Sequence, residues 1–313
     1  MRIKVTIPGA GSNASLTEWT GTPDSSVDGV QFFVNTHVDA PDVWMVFDDG
    51  VEGDSAYIDH HNIFYMTAEI CYPIGRFDDA RGKKYLSQFN RLFTMHDILD
   101  ERKVHVRPFT GWMVNANHGY SSYPETKRGK DFFMSMPMPE KTADISVICS
   151  DKSFTPEHYL RLKFVAKLKE DLGDRLHWYG NGISMLRDKW PGIAPYRYHI
   201  AIENRYGHDV ISEKLYDSFL GMAHPIYFGA PNVHDYYHEW SVSTINIYDY
   251  KQAKAKILDL IDSDWAERNL NYLRQAKDRA VNRDNWTTRM AQIGRNYSVP
   301  NIVREQVYLY AYK

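Results

Sequence analysis

Residues 203–217 read ENRYGHDVISEKLYD, a stretch in which Glu203, Asn204, Glu213 and Lys214 gather where a strand should end and a helix begin. The first turn of a helix presents free backbone N–H groups and about half a positive charge, and such a turn commonly receives phosphate. Lys214 would reinforce that field. Glu213 would repel a phosphate, so beside one it suits hydrogen bonds from ribose or sugar hydroxyls. The same residues also describe an ordinary exposed Glu–Lys pair on a helix capped by Asp209, and spacing alone slightly favours this plainer reading.

The elements that must position these groups follow from periodicity. Ile211, Leu215, Phe219 and Met222 fall on one helical stripe that must face a sheet. Around it, ADISVICS, LHWYG, YRYHIAIEN, HPIYFG and STINIYDY read as strands. PEHYLRLKFVAKLKEDLG has Leu160, Phe164 and Leu168 at helical spacing and stops at Gly173, and KAKILDLID reads as a further helix. Strands alternating with helices predict a parallel sheet covered on both faces, with ligands at the carboxyl ends of the strands.

Upstream, Ile3, Val5 and Ile7 alternate as a strand that breaks into PGAGSNAS. Without GxGxxG and a following helix, this reads as a strand-to-loop turn before it reads as a nucleotide loop. VQFFVN, PDVWMVFDD and NIFYMTAEI are further strands, and Asp48 and Asp49 read as a solvated strand-end turn in preference to a metal site. YLSQFNRLFTMHDIL reads as helix or loop, and KVHVRPFTGW as a strand. NANHGYSSYPETKRGKDFFMSMPMPEKTA has no period and is the expected linker. From Trp265 onward one or two long helices are expected, bearing Arg268, Arg274, Arg279, Arg283 and Arg289. The boundaries expected are 1–140, 141–264 and 265–313.

A length of 313 residues allows two domains, and 43% hydrophobic with 25% charged residues excludes a disordered chain. A net charge of −3 supplies no field to hold nucleic acid. Cys71 and Cys149 lack metal or redox spacing and read as free thiols of a reducing compartment. No apolar run is long enough for a leader or a membrane span, which gives a cytoplasmic expectation. His234 and His238 stand one helical turn apart but lack a third zinc ligand, and His60 and His61 precede the NIFYMTAEI strand.

The run YRYHIAIENRYGHDVISEKLYDSFLGMAHPIYFGAPNVHDYY, followed by STINIYDY, resembles the signature of the fucosyltransferases of glycosyltransferase family 10. Tyr196, Glu203, Asn204, Ser212, Glu213, Lys214, Pro225, Gly229, Pro231, Asn246 and Asp249 carry the match with order and spacing preserved. ICSDKSFTPEHYLRLKFVAKL is similar to the strand, loop and helix that hold the family's pyrophosphate-binding arginine. Arg161, Phe164 and Leu168 keep its spacing, and Asp151 stands where the family often shows Asn. NIFYMTAEICYP is similar to the segment carrying the proposed general base, which points to Glu69, with Ala68 and Ile70 departing from the pattern.

The resemblance implies an α/β, GT-B-like fold: two Rossmann-type βαβ domains facing across a cleft, the first for the acceptor and the second for the donor, with a C-terminal helical segment. It implies inverting transfer of L-fucose from GDP-fucose to a hydroxyl of a glycan acceptor, as in an α-1,3-fucosyltransferase. Glu69 would be the base, Arg161 and Lys214 would hold the diphosphate, and Glu213 the ribose. Glu203 and Asn204 would lie near the sugar or shape the loop. With Lys and Arg in these roles no tightly bound metal is expected, and a divalent cation is left only a stimulatory part. The partners implied are a nucleotide sugar and a carbohydrate acceptor. The arginines of the C-terminal helices suit a solvated face, with peripheral contact to an anionic membrane as the alternative. Two other readings stay open: the same fold with a different nucleotide-linked deoxysugar, and a non-catalytic nucleotide- or glycan-binding protein.

Overall fold

The computed structural model describes residues 1–11, 16–71, 77–114 and 128–312. Ser12–Ser15 of the glycine-rich loop, Tyr72 and Pro73 of the Glu69 segment, and positions 115–127 of the expected linker lie outside the described residues. The chain forms two compact units, 1–110 with 284–313, and 111–283.

The first unit holds β1 (Arg2–Thr6), α1 (Thr17–Thr20), β2 (Ser26–Val27), β3 (Val30–Val34), β4 (Val43–Phe47), β5 (Ser55–Ile58), β6 (Ile63–Met66), α2 (Ala80–Leu86), β7 (Arg91–Thr94) and β8 (Lys103–His105). The sheet order is β2-β3-β1-β4-β6-β7-β8, and every pairing is parallel except that of β2 with β3. β4, VWMVF, is buried along its whole length, as a strand covered on both faces must be.

The second unit holds α3 (Lys130–Ser135), β9 (Ala143–Ile148), α4 (Pro156–Leu172), β10 (Leu176–Tyr179), β11 (Tyr196–Ile202), α5 (Glu213–Leu220), β12 (His224–Phe228), β13 (Ser243–Thr244), α6 (Tyr250–Ile261), α7 (Trp265–Arg268) and α8 (Leu270–Asn282). Its sheet, β10-β9-β11-β12-β13, is parallel throughout. Phe164 and Leu168 of α4 and Ile257 of α6 pack on one face against Val147, Ile200 and Ile226. Leu215 and Phe219 of α5 and Leu273 of α8 pack on the other against Ala201 and Tyr227. The STINIYDY strand is shorter than expected: it ends at Thr244, because Asp249 turns to cap α6 by accepting from Gln252 N at 3.0 Å.

The last elements, α9 (Trp286–Tyr297) and β14 (Glu305–Tyr308), belong to the first unit. Trp286, Met290 and Ile293 join Ile3, Val5, Met45 and Phe64 in one core cluster, while Tyr85 and Leu86 of α2 and Leu309 cover the opposite face. β14 pairs antiparallel with β5. The boundaries at 140 and 264 therefore move to 110 and 283, because α9 in the final thirty residues packs on the first sheet and β14 pairs with β5. The tail is not one or two long helices either. Asn269 breaks it once and Asp284–Asn285 a second time, the latter by Asn285 capping Thr287 N at 3.1 Å. Its arginines do not all line a solvated face: Arg289 is buried with its guanidinium on the carbonyls of Pro108 and Arg107 at 2.7 and 2.6 Å, and Arg279 lies over Tyr236 and Tyr237. Among the described residues no helix is long and apolar enough to cross a membrane.

Candidate active site

In the second unit the chain runs from β9 outward to β10 and then back to β11 on the other side of β9. The carboxyl ends of β9 and β11 thus flank the topological switch point, where open α/β sheets bind ligands. Arg161 arrives there from α4. Thr155 caps that helix, accepting from His158 N at 3.2 Å, and Pro156 occupies its first turn. His158, Arg161, Val165, Leu168 and Leu172 form its buried stripe, so Arg161 faces the core in the second turn of the helix, close to the strand ends.

Arg161 is 5% exposed. Its Nη1 donates to the Asn204 side-chain oxygen, and its Nε is buried without a hydrogen-bond partner. No carboxylate among the described residues pairs with it. Burial pushes the nearby Cys149 thiol up although Arg161 and Lys214 pull it down, and burial with the same two cations holds His158 below the usual histidine range. Arg161, Lys214, Cys149 and His158 therefore share one electropositive locus.

Across the switch point, α5 begins at Glu213. Ser212, not Asp209, is the N-cap: its extended backbone and Oγ face Lys214 N at 3.4 Å. Asp209 instead stands at a φ of 63° and is engaged downstream, accepting from Asn232 Nδ2 at 2.9 Å and from Tyr236 Oη at 2.5 Å. The Ser212 cap is fixed from behind by Glu203, whose Oε1 accepts from Ser212 N at 2.8 Å and whose Oε2 accepts from Ser212 Oγ at 2.5 Å. Glu203 is 1% exposed. It is thus a positioning residue for the start of α5, and of the two parts expected of it only the shaping of the loop fits its burial. Burial pushes its carboxyl up against the opposing pull of Lys214, 3.6 Å away. Gly229 follows β12 beside it, and a Cβ there would run into Glu203 Cγ and Tyr227 Oη.

Lys214 Nζ lies 3.0 Å from Glu213 Oε1. Lys189 reaches the same oxygen at 3.8 Å and Asp217 Oδ2 at 2.8 Å. Burial would raise the Glu213 carboxyl, but Lys214 and Lys189 outweigh it and hold the group well below the usual carboxylate range. Burial would likewise lower Lys214, but Glu213 and Glu203 keep it above the usual lysine range. Lys189 and Asp217 were not legible in the sequence, since Lys189 sits in an aperiodic loop and Asp217 reads as a polar helix position. The Ser-Glu-Lys triplet did carry a signal for the true cap, because Ser immediately before an acidic residue is a common helix start.

The match to the family model described as glycosyltransferase family 10 (fucosyltransferase) C-term runs over residues 138–300, just over half of the chain. The chain belongs to glycosyltransferase family 10. Among curated relatives, the 4-galactosyl-N-acetylglucosaminide 3-alpha-L-fucosyltransferase 9 of Homo sapiens is 29% identical over 157 residues, which cover 48% of this chain and 41% of that protein. The chain thus spans about two-fifths of that relative's length. A solved alpha1,3-fucosyltransferase shares the fold at a TM-score of 0.50, with 12% identity and 91% of each chain covered. An alpha1,3-fucosyltransferase solved with GDP-fucose aligns at a TM-score of 0.49, with 14% identity, over 88% of this chain and 82% of that one. The two α/β units with parallel sheets are of the GT-B type.

The family-matched region holds Arg161, Glu203, Asn204, Glu213 and Lys214 in one locus of the second unit. Glu69 lies in the first unit, exposed just beyond the carboxyl end of β6. Its loop is shaped by Asp48, whose Oδ1 accepts from Ala68 N at 3.0 Å and Glu69 N at 3.2 Å, while Glu69 Oε1 accepts from Cys71 N at 2.7 Å. Asp48 is therefore a half-buried strand-end brace where a solvated turn was expected. His60 and His61 stand at the opposite, amino end of β6. His234 and His238 do not share a helix: His234 lies within a single 3-10 turn (Val233–Asp235), and His238, beyond it, stacks on Tyr272 with ring centroids 4.2 Å apart.

Proposed function

We propose that this protein is an inverting glycosyltransferase that moves L-fucose from GDP-fucose to a hydroxyl of a glycan acceptor, in the manner of an α-1,3-fucosyltransferase. The observation that carries the reading is Arg161. A buried guanidinium with one neutral partner and an unsatisfied Nε is costly in the free protein, and a diphosphate at the switch point would supply the missing acceptors and charge. Its place within the family-matched region adds the donor class.

In this reading the acceptor oxygen attacks the anomeric carbon from the side opposite the diphosphate. Glu69 takes the hydroxyl proton, the bond from carbon to the β-phosphate oxygen breaks, and GDP leaves with the electron pair. Arg161, Lys214 and the positive amino end of α5 stabilise the charge that develops on the leaving group. Glu213, held ionised by two lysines, accepts a ribose hydroxyl. Asn204 orients Arg161. The region of Glu203 and Ser212 keeps the helix start in place.

A panel of GDP-, UDP- and dTDP-linked sugars tests the donor assignment by thermal shift, since a ligand at about 100 times its Kd stabilises by roughly 2.7 kcal/mol. GDP-fucose is expected to give the largest shift and to release GDP when a glycan acceptor is added. A larger shift with another sugar nucleotide would replace the donor. Binding of GDP-fucose without GDP release across an acceptor array would replace the enzyme with a binding protein.

A further inference from the structure

In the first unit the backbone ladder of β6 reaches its last rungs just short of Glu69. Asp48 N donates to Met66 O at 3.0 Å on the β4 side, and Thr67 N donates to Phe93 O at 3.1 Å on the β7 side. Beyond Thr67 two side chains take over. Asp48, the first residue after β4, accepts from Ala68 N and Glu69 N through Oδ1 at 3.0 and 3.2 Å. His96, two residues after β7, places its Nε2 2.8 Å from Glu69 O. A carbonyl oxygen only accepts, so Nε2 donates and carries the proton. The backbone of Glu69 is thus gripped through its N–H and through its C=O, from the two strands that flank β6 in the sheet.

Each gripping residue is itself fixed. Asp48 stands at a φ of 51°, a left-handed conformation that Asp adopts only at some cost, and its carbonyl accepts from the Oη of buried Tyr85 at 2.7 Å. His96 is 7% exposed, and its backbone N–H donates to Thr94 Oγ1 at 3.1 Å. Glu69, by contrast, is exposed, and its Oε1 accepts from Cys71 N at 2.7 Å. The direction of the carboxylate therefore follows from where its own short loop is held. Ordering an exposed loop adds little to a core, whereas backbone strain of the kind at Asp48 clusters where a functional group must be kept in place.

Resting on the transferase reading above, we propose that Asp48 and His96 are positioning residues for the base, holding the Glu69 carboxylate where it meets the acceptor hydroxyl. They act through the Glu69 backbone and not on the reacting atoms. A carboxylate that takes a proton must stand within a hydrogen bond of about 2.6–3.2 Å of it, and a displacement of about 1 Å can cost about a hundredfold in rate. Losing either grip therefore lowers kcat, while donor binding, which the second unit carries, stays as it is.

His96→Leu removes the donor and keeps most of the bulk, whereas His96→Gln returns an N–H donor at the reach of Nε2. Asp48→Gly keeps the left-handed turn without the acceptor, and Asp48→Asn keeps both. The donor is GDP-fucose, and the acceptor is N-acetyllactosamine or whichever glycan of the array releases GDP faster. The expected result is a kcat lowered roughly 10- to 100-fold in His96→Leu and Asp48→Gly, largely restored in His96→Gln and Asp48→Asn, with the calorimetric Kd for GDP unmoved throughout. The same His96→Leu change is then made in Glu69→Gln. With the base already absent a positioning residue has nothing left to position, so residual GDP release should fall no further, whereas a residue serving the fold lowers it by the same factor again. An unchanged kcat in His96→Leu, a His96→Gln variant as slow as His96→Leu, or that equal further loss overturns the assignment. Should His96→Leu fail to fold, His96→Asn against His96→Gln makes the comparison, since both are amides and only glutamine reaches the Glu69 carbonyl. The two readings stay apart: a slow Glu69→Gln with an unimpaired His96→Leu removes this inference alone. Full turnover in Glu69→Gln removes the base, and no GDP release from the wild type with any glycan removes the enzyme, each taking this inference with it.

Discussion

Replacing Arg161 by Met separates a structural arginine from a ligand-binding one. In the free protein Arg161 makes one bond to the neutral Asn204 oxygen and leaves Nε buried without a partner. Losing the charge-assisted Asn204 bond costs about 1.5–3 kcal/mol, whereas removing an unsatisfied buried donor recovers about 1–3 kcal/mol. Met fills most of the same volume, so the free variant is expected to stay within about 1 kcal/mol of the wild type. Binding should move the other way. Charge-assisted bonds to a diphosphate are each worth about 1.5–3 kcal/mol, so the Kd for GDP should weaken by roughly 10- to 100-fold. Denaturant unfolding with and without GDP, together with calorimetric titration, measures both quantities on the same samples. A variant that loses more than about 2 kcal/mol of stability while binding GDP as tightly as the wild type would refute the reasoning, because the arginine would then be serving the fold.

Further outcomes follow from the same geometry. Glu69→Gln is expected to lower turnover by roughly 10²–10⁴ with donor affinity unchanged, and undiminished turnover at saturating substrates removes Glu69 as the base. Glu203→Ala strips Ser212 of two acceptors and leaves Lys214 with Glu213, so unfolding free energy should fall by about 2–4 kcal/mol; a neutral result in denaturant melts contradicts its bracing role. Gly229→Ala should destabilise by about 1–3 kcal/mol through the collision with Glu203 and Tyr227, and a wild-type melting temperature would contradict that close approach. Burial holds His199 down to about 3 and His224 to about 4, from 6.5. The unfolded chain therefore takes up protons that the folded one refuses, so stability is full above pH 6.5 and falls as pH drops toward 4, by up to about 1.4 kcal/mol per pH unit for each histidine. His199→Gln should flatten that fall, and an unchanged pH profile of the unfolding midpoint would contradict it.

Local patterns in the sequence determined a good deal. The apolar stripe of Ile211, Leu215, Phe219 and Met222 and the spacing of Phe164 and Leu168 each specify which face of a helix meets a sheet, because helical period and burial are properties of neighbouring residues. The alternation of strands and helices from position 143 determined a parallel sheet. The ordered run from Tyr196 to Asp249 carried the family. Tertiary structure alone decided the rest, for reasons of distance along the chain. Whether a carboxylate is a cap, a brace or a ligand depends on what faces it: Asp209 has the composition of a cap and was expected to be one, but Asn232 and Tyr236 occupy it and Ser212 caps instead. Glu203 reads as a polar strand end, yet two bonds to Ser212 bury it behind the helix start. The last thirty residues return to the first unit because Trp286, Met290 and Ile293 fill a core begun by Ile3 and Val5, a pairing some 280 positions apart that no local period can encode. Lys4 beside Asp54 and Lys189 beside Glu213 are ordinary residues in a sequence, and only the folded chain gives them carboxylate partners.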